Sequence, residues 1–536
     1  MTVKLSRLIM LLFIISLAAC NAKNRKSSTT IYYNIGGEPT TLSPLSGTDG
    51  YTTSVHSYVF EGLLDRDLDT YEWKPALATE WKISEDKKVF DFKIREGVKW
   101  HDGTPLTAED VKYSYDVIFS DDFKAVQVRP YYESIKSVEV IDKDTVRFTV
   151  KDDYFRNFDV CATLQIIPKH FYTNPENKKS FNRVITGTGP YKLVKYDRGQ
   201  KITLEQNPEW WGRNVETEKD TNVIPKIVLR MVSEENVSLE LLKKGDIDFL
   251  GMRPDGFVKK TVGDIWEEKI VKVKTENKTP KGYNFIGWNL KHPILKDREV
   301  RKALAMLFNR PLMLDKFEYN LSEYATGPIY VQSEYADQSL KPLEYDPGEA
   351  LKILNQAGWK DTDKDGLLDK VINGKKTKLS VTIMEPTQEA MKYLTIFKED
   401  ASKAGVEINI KNIEWNSFVK LLEERNFEAV RLAWGGGSVD IDLKQIWHSS
   451  SIEGGGSNFI SYSNPEVDKL IDASRKLYSM EERKPLLQKA HALIADDYPY
   501  VFWFNSKFTL YGHSKRVDKP KDTFKYGLGQ QYWKLK

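Results

Sequence analysis

The segment PALATEWKISEDKKVFDFKIREGVKWHDGTPLTAEDVKYSYDVI, residues 75–118, changes its apolar period partway along. In FDFKIRE, Phe90, Phe92 and Ile94 alternate with Asp91, Lys93 and Arg95, the period of two of a strand with one buried face. Further on, Thr107-Ala108-Glu109-Asp110 has the layout of a capping box, a threonine followed three residues later by an acid, ahead of VKYSYDVIF. A strand and a capped helix within one short span argue for a mixed α/β chain.

The same alternation continues on both sides. TVRFTVK places Val146, Phe148 and Val150 on one strand face, and KITLEQ and KIVLRMV extend the strand pattern. Asp346-Pro347-Gly348-Glu349 and Asn464-Pro465 supply helix starts, with an N-cap followed by proline at the first helical position. In DREVRKALAMLFNR, Val300, Ala303, Leu304 and Leu307 form one apolar stripe. The fold class is therefore α/β, with mixed sheets expected.

Totals narrow the function. The chain has 536 residues and a net charge of +3, too little to argue for a nucleic-acid partner. Aromatic residues make up 12%, which suits ring-rich cores or a recognition surface built from rings. Seven histidines are scattered without metal-ligand spacing, and neither a P-loop nor a GxSxG elbow is present. Gly435-Gly436-Gly437 and Gly454-Gly455-Gly456 lack the strand–GxGxxG–helix frame of a nucleotide site. The sequence therefore argues against an enzyme, and implies no cofactor.

At the N-terminus, Lys4 and Arg7 precede the apolar run Leu8–Ile15, and Leu17-Ala18-Ala19-Cys20 closes it. The layout is that of an export signal over residues 1–19. The small residues before Cys20 resemble the lipobox of bacterial lipoproteins, in which this cysteine is acylated. Residues 20–30 then read as a lipidated cysteine and a polar tether, on a protein held at the cell envelope by its lipid. Cys161, the other cysteine, is expected as a small buried apolar residue.

DTDKDGLLDK, residues 361–370, places Asp361, Asp363, Asp365 and Asp369 as an EF-hand loop would, with Gly366 at the corner. Position 12, however, falls on Ile372, which cannot ligate. Asn373-Gly374 then announces a hairpin rather than a helix. Asx-type turns account for the acids without calcium.

Several segments resemble, in order, the bacterial family 5 solute-binding proteins, the peptide-, dipeptide- and nickel-binding components of ABC importers. They are YVFEGLLDRD with residues 75–118, then GTGPYKL, ITLEQNPEWWG, LLKKGDIDFL, WNLKHPILKDREVRKALAMLFNR and SNPEVDKLID, together spanning roughly residues 31–515. The resemblance implies a two-lobed periplasmic-binding-protein fold of the large type that closes around its ligand. Lobe I would take residues 31–283, with an extra subdomain over about 52–183. Lobe II would take 284–503, and 504–536 would return to lobe I. Crossings are expected near Gly282–Asn289 and Tyr500–Lys507.

A peptide held in such a cleft needs a strand-like edge for its backbone and a carboxylate for its amine. Trp434-Gly435-Gly436-Gly437-Ser438-Val439-Asp440-Ile441-Asp442 meets those needs. In peptide-binding members an Asp shortly after this Trp holds the ligand amine, often in an Asp-Pro-Asp-Pro-like context. This chain has Asp440-Ile441-Asp442-Leu443, without the prolines. Asp440 is favoured for the amine, with Asp442 second as a helix cap. Trp447 and the loop Glu453–Phe459 are candidate linings. Thr48, Asp49, Gly50 and Tyr51 are expected on the opposite wall. Trp210 and Trp211 read as turn packing, and His101 and His448 as ordinary histidines.

The function implied is a monomeric substrate-binding lipoprotein that captures oligopeptides and delivers them to an ABC permease. A nickel chelate, a glycan or a signalling peptide is the alternative solute, and a calcium-binding surface adhesion lipoprotein the alternative class.

Overall fold

The structure, a computed structural model, describes residues 29–453 and 456–536. The export signal, Cys20, most of the tether and Gly454–Gly455 lie outside the described residues. No described helix is long and apolar enough to cross a membrane.

Two large mixed sheets organise the molecule. The first has seven strands in the order Ile270–Thr275, Thr509–Ser514, Phe249–Gly251, Thr30–Asn34, Lys226–Arg230, Lys201–Gln206 and Tyr191–Asp197. Strand Thr30–Asn34 runs parallel to both of its neighbours, and the other pairings are antiparallel. The second sheet has six strands, ordered Ser322–Tyr324, Tyr500–Ser506, Tyr283–Trp288, Ala429–Trp434, Ser380–Glu385 and Glu407–Asn412. Its last three strands are mutually parallel and the rest antiparallel. Segments 282–289 and 500–507 contain neighbouring central strands of this sheet, with Ile286 opposite Val501. Their apolar residues pair and are buried, so the chain passes between the sheets just before Tyr283 and just after Ser506.

A smaller antiparallel sheet, Ala78–Ile83, Val89–Ile94, Thr145–Val150 and Ile135–Val140, stands beside the first. Phe90, Phe92 and Ile94 are at most 3% exposed, and Phe158 stacks on Phe92 at 5.6 Å. On the other face Arg147 pairs with Asp91 at 2.7 Å. The alternation in the sequence is thus the alternation of core and surface.

Local signals act as their chemistry requires. The Asp110 carboxylate accepts from the backbone N–H of Thr107 at 2.9 Å, starting helix Ala108–Asp116. Asp346 accepts from Glu349 N–H, and Asn464 from Glu466 N–H, at the heads of helices Pro347–Gln356 and Pro465–Arg475. Val300, Ala303, Leu304 and Leu307 are fully buried against the second sheet. Asn373 (φ 50°) and Gly374 (φ 77°) form the tight turn between strands Asp369–Ile372 and Lys375–Lys378. Cys161 is a free, fully buried thiol.

Candidate functional site

Strand Ala429–Trp434 ends at the glycine run, where each glycine meets a different surrounding. A side chain at Gly435 would meet no atom within 4 Å. At Gly436 a Cβ would fall 1.8 Å from the Pro280 carbonyl oxygen, so only glycine lets the loop lie against the pass between the sheets. Gly437 has φ +66°, a left-handed conformation that favours glycine. Trp434 stacks between Phe285 and Phe459 at 6.1 and 6.0 Å, and its indole N–H donates to the Tyr500 hydroxyl at 3.2 Å.

The two aspartates that follow differ. Asp440 Oδ1 accepts from the Tyr335 hydroxyl at 2.8 Å and from Arg483 at 2.5 Å, and its side chain remains 38% exposed. Asp442 is 1% exposed and pairs with Arg475. It also accepts from the Tyr154 hydroxyl at 2.8 Å and from Lys444 N–H at 3.0 Å, the first turn of helix Lys444–Trp447. Asp442 is therefore spent on structure. Trp447, expected as a lining, is 1% exposed and lies in the core on Tyr500 and Tyr462. Its short helix turns it inward, away from the open loop.

The opposite wall is also reordered. Asp49 caps helix Gly50–Val59, accepting from Tyr51 and Thr52 N–H at 3.0 Å and from the Thr40 hydroxyl at 2.7 Å, so a ligand would have to displace a cap. Thr48 bonds Gln127, and Gly50 is exposed. Tyr51 reaches the segment that follows strand Glu407–Asn412 of the second sheet. Its ring covers Gly36 and Gly37 and meets Trp415 edge-on at 5.6 Å. Burial, with Glu389 and Asp49 nearby, pushes its phenol up.

Sequence reasoning missed the charges around this contact. Arg253, just after strand Phe249–Gly251 of the first sheet, pairs with Glu389, just after strand Ser380–Glu385 of the second, and Lys392 pairs with Asp255. Burial raises the Glu389 carboxyl, against the pull of Arg253. Deeper in, Arg431 lies 3.7 Å from Glu385, the side chains 9% and 0% exposed, and burial raises the Glu385 carboxyl against Arg431. Arg431 borders a cavity of about 230 Å³ shared with Arg253 and Asn284, and its guanidinium donates to the Asn284 amide oxygen. The smaller sheet's domain closes the far side: the Tyr131 hydroxyl donates to Gln445, and Lys444 pairs with Glu133 at 3.1 Å.

The acidic loop stands apart from the cleft. Asp361 accepts from Asp365 and Gly366 N–H, Asp369 from Thr362 N–H, and Lys376 and Lys378 pair with Asp363 and Asp365. Asp361, Asp363 and Asp369 lie close enough together for a cation, but their charges are already met by backbone donors and lysines. Trp210 and Trp211 both donate to the Glu61 carboxylate, as turn packing. His101 bonds the Gly189 carbonyl at 3.0 Å, and burial pushes it down to about 4. His448 faces Asp472 at 3.3 Å.

With this geometry in hand, known proteins place the chain. The model of the bacterial extracellular solute-binding proteins, family 5, middle part, matches residues 72–454. The oligopeptide-binding protein AppA of Bacillus subtilis (strain 168) is 30% identical over 480 residues, covering 87% of this chain and 84% of that protein. The structure of AppA with a nonapeptide superposes with a TM-score of 0.84 at 27% identity, over 95% of this chain and 99% of AppA. DppA of Helicobacter pylori with the peptide STSA (TM-score 0.82, 21% identity, 94% and 98% covered) shares the fold. So does NikZ of Campylobacter jejuni with Ni(L-His), at a TM-score of 0.79 and 24% identity, with 95% and 100% covered. A two-lobed binding fold, a cleft walled by both lobes and a family match over most of the chain agree: this protein is a bacterial extracellular solute-binding protein of family 5, a transporter's binding component and not an enzyme.

Proposed function

We propose that the chain captures oligopeptides between its lobes and hands them to the permease of an ABC importer. The observation that carries this reading is the open backbone at Gly435, set beside the Trp434 ring stack and next to the half-exposed Asp440. An extended peptide can lie along such an edge, its rings and amine met by neighbouring groups. The 30% identity to an oligopeptide-binding protein over most of the chain supports the choice of solute.

Asp440 is the proposed amine acceptor. Both of its partners bond Oδ1, and no bond reaches Oδ2 among the described residues. Residues 31–283, with the subdomain over about 52–183, and 504–536 would form one rigid half, and 284–503 the other. A ligand favouring the closed arrangement would drive their rotation. The monomer would be held at the envelope by acylation of Cys20, and Cys20→Ala should release it from membranes.

Mass spectrometry of small molecules released from the purified, denatured protein tests the solute. A ladder of short peptides is expected. One defined compound, such as a metal chelate or glycan, would overturn the peptide assignment, and so would failure of the refolded protein to retain any member of a peptide library.

A further inference from the structure

Glu389 stands where segments flanking the two large sheets meet, and its side chain is 18% exposed. It follows strand Ser380–Glu385 and precedes helix Met391–Lys403. Facing it from the first-sheet side are Arg253, which pairs with it, and Tyr51 of helix Gly50–Val59. The same side presents Glu235, at the head of helix Glu235–Lys244, and the exposed Glu234 before it. One guanidinium and two carboxylates thus approach Glu389 from across the contact.

The other cations of this neighbourhood, among the described residues, are already committed. Arg431 lies 3.7 Å from Glu385 and donates to the Asn284 amide oxygen. Lys392 pairs with Asp255, and Lys260 lies 3.7 Å from Glu235. The Arg253 backbone N–H donates to Glu235 Oε1 at 3.2 Å, so that carboxylate is held beside the Arg253–Glu389 pair. Forming the contact therefore takes Glu389 out of water and sets like charge beside it, against one ion-pair partner. Both changes disfavour an ionised carboxylate. Burial is the larger, and it raises the Glu389 carboxyl against Arg253 and Arg431, with Glu235 and Glu234 adding to the rise. The Tyr51 phenol, pushed up by burial, stays neutral and offers no charge.

Resting on the lobe rotation proposed above, we propose that Glu389 makes closure proton-linked: its carboxylate takes up a proton as the contact forms, and acid strengthens the hold on the solute. Linkage fixes the direction. In the open arrangement Glu389 is in water and titrates as an ordinary carboxyl, whereas in the closed one it keeps its proton to higher pH. Acidification through that interval favours the closed arrangement, by at most about tenfold per pH unit for one proton. Below the ordinary carboxyl range both arrangements are protonated and the gain levels off. Protonated Glu389 still accepts from Arg253 through its carbonyl oxygen, so the contact survives as a hydrogen bond.

Calorimetric titration of the full chain between about pH 7 and about pH 5, with a pool of pentapeptides lacking acidic and histidine side chains, tests this. Wild-type affinity should rise severalfold over that range, and titration in buffers of different ionisation enthalpy should show proton uptake on binding. Glu389→Gln, which carries a neutral group throughout, should bind near neutrality as the wild type does in acid, with a flattened profile and the uptake gone. Arg253→Met should move the rise to higher pH, a displacement that a purely structural role would not produce. The same pH dependence and uptake in wild type and Glu389→Gln would overturn the proposal, and so would proton release. If no peptide binds at any pH, the peptide reading fails by itself, and the linkage is read from small-angle scattering of the unliganded chain. A radius of gyration that shrinks in acid for the wild type and not for Glu389→Gln sustains it; a radius that responds equally in both, or in neither, overturns it.

Discussion

Replacing Asp442 by asparagine separates a structural carboxylate from a recognition one. Asp442 is 1% exposed and Arg475 10%, and the pair is sealed from both sides. The Tyr154 ring covers the guanidinium at 3.9 Å while its hydroxyl bonds Asp442, and Arg475 donates to the Pro130 carbonyl at 2.9 Å. Asparagine preserves the shape but leaves the arginine charge buried and unpaired, which costs about 3–5 kcal/mol. For a cooperative unit of lobe size, about 2–4 °C per kcal/mol converts this into a fall in Tm of roughly 6–20 °C. Adding Arg475→Met removes the stranded charge and should recover most of the loss, so the two changes should be strongly non-additive. Thermal and urea unfolding of the wild type, both single variants and the double variant measure this. If Asp442→Asn melts with the wild type yet loses affinity for free-amine peptides, the reasoning fails and Asp442 is the amine acceptor.

Asp440→Ala should weaken free-amine peptides about tenfold while N-acetylated analogues bind as before; equal losses in titration would remove the amine role. His491 is fully buried, and burial pushes it down to about 4. Because its folded pKa lies below the unfolded one, its contribution is complete above about pH 6.5 and is lost as pH falls toward 4, at about 1.4 kcal/mol per unit. Urea midpoints at pH 7 and 4.5 should therefore fall more steeply for the wild type than for His491→Gln, and parallel slopes would refute this. Millimolar calcium against a chelator should leave Tm unchanged, whereas a site filled a hundredfold over its Kd would add about 2.7 kcal/mol. A calcium-dependent rise would return the Asp361–Asp369 loop to consideration as a metal site.

Features written over three or four neighbouring residues were legible from the sequence. Asp346 and Asn464 start helices because each carries its own acceptor for the N–H groups that follow, and Asp110 does so by accepting from the Thr107 N–H behind it. Asn373-Gly374 turns because both residues tolerate positive φ. Partner choice across the fold was not legible. Nothing near Asp442 reveals that Arg475 neutralises it, or that Arg253 will meet Glu389, since such pairs are made by packing of distant segments. Asp49 has the composition of a ligand contact and also of an N-cap, and the local hydrogen bonds took it. Trp434 and Trp447 are both aromatic residues near the glycines, but only the tertiary packing decides which ring goes into the core.

The glycine contact at Pro280 has a practical consequence. Gly436 rests on the Pro280 carbonyl and Gly282 on that of Trp434, so under the proposed lobe rotation the glycine loop would be geared to the segment that bends. Domain motion and occupancy of the loop, as proposed, would then be sensed at one place. Gly435, the open position beside this gear, would accept a fluorophore through Gly435→Cys, and Cys161, fully buried, would not compete for the label. The fold thereby offers a reagentless optical sensor for its own solute, with the transducer built into the backbone.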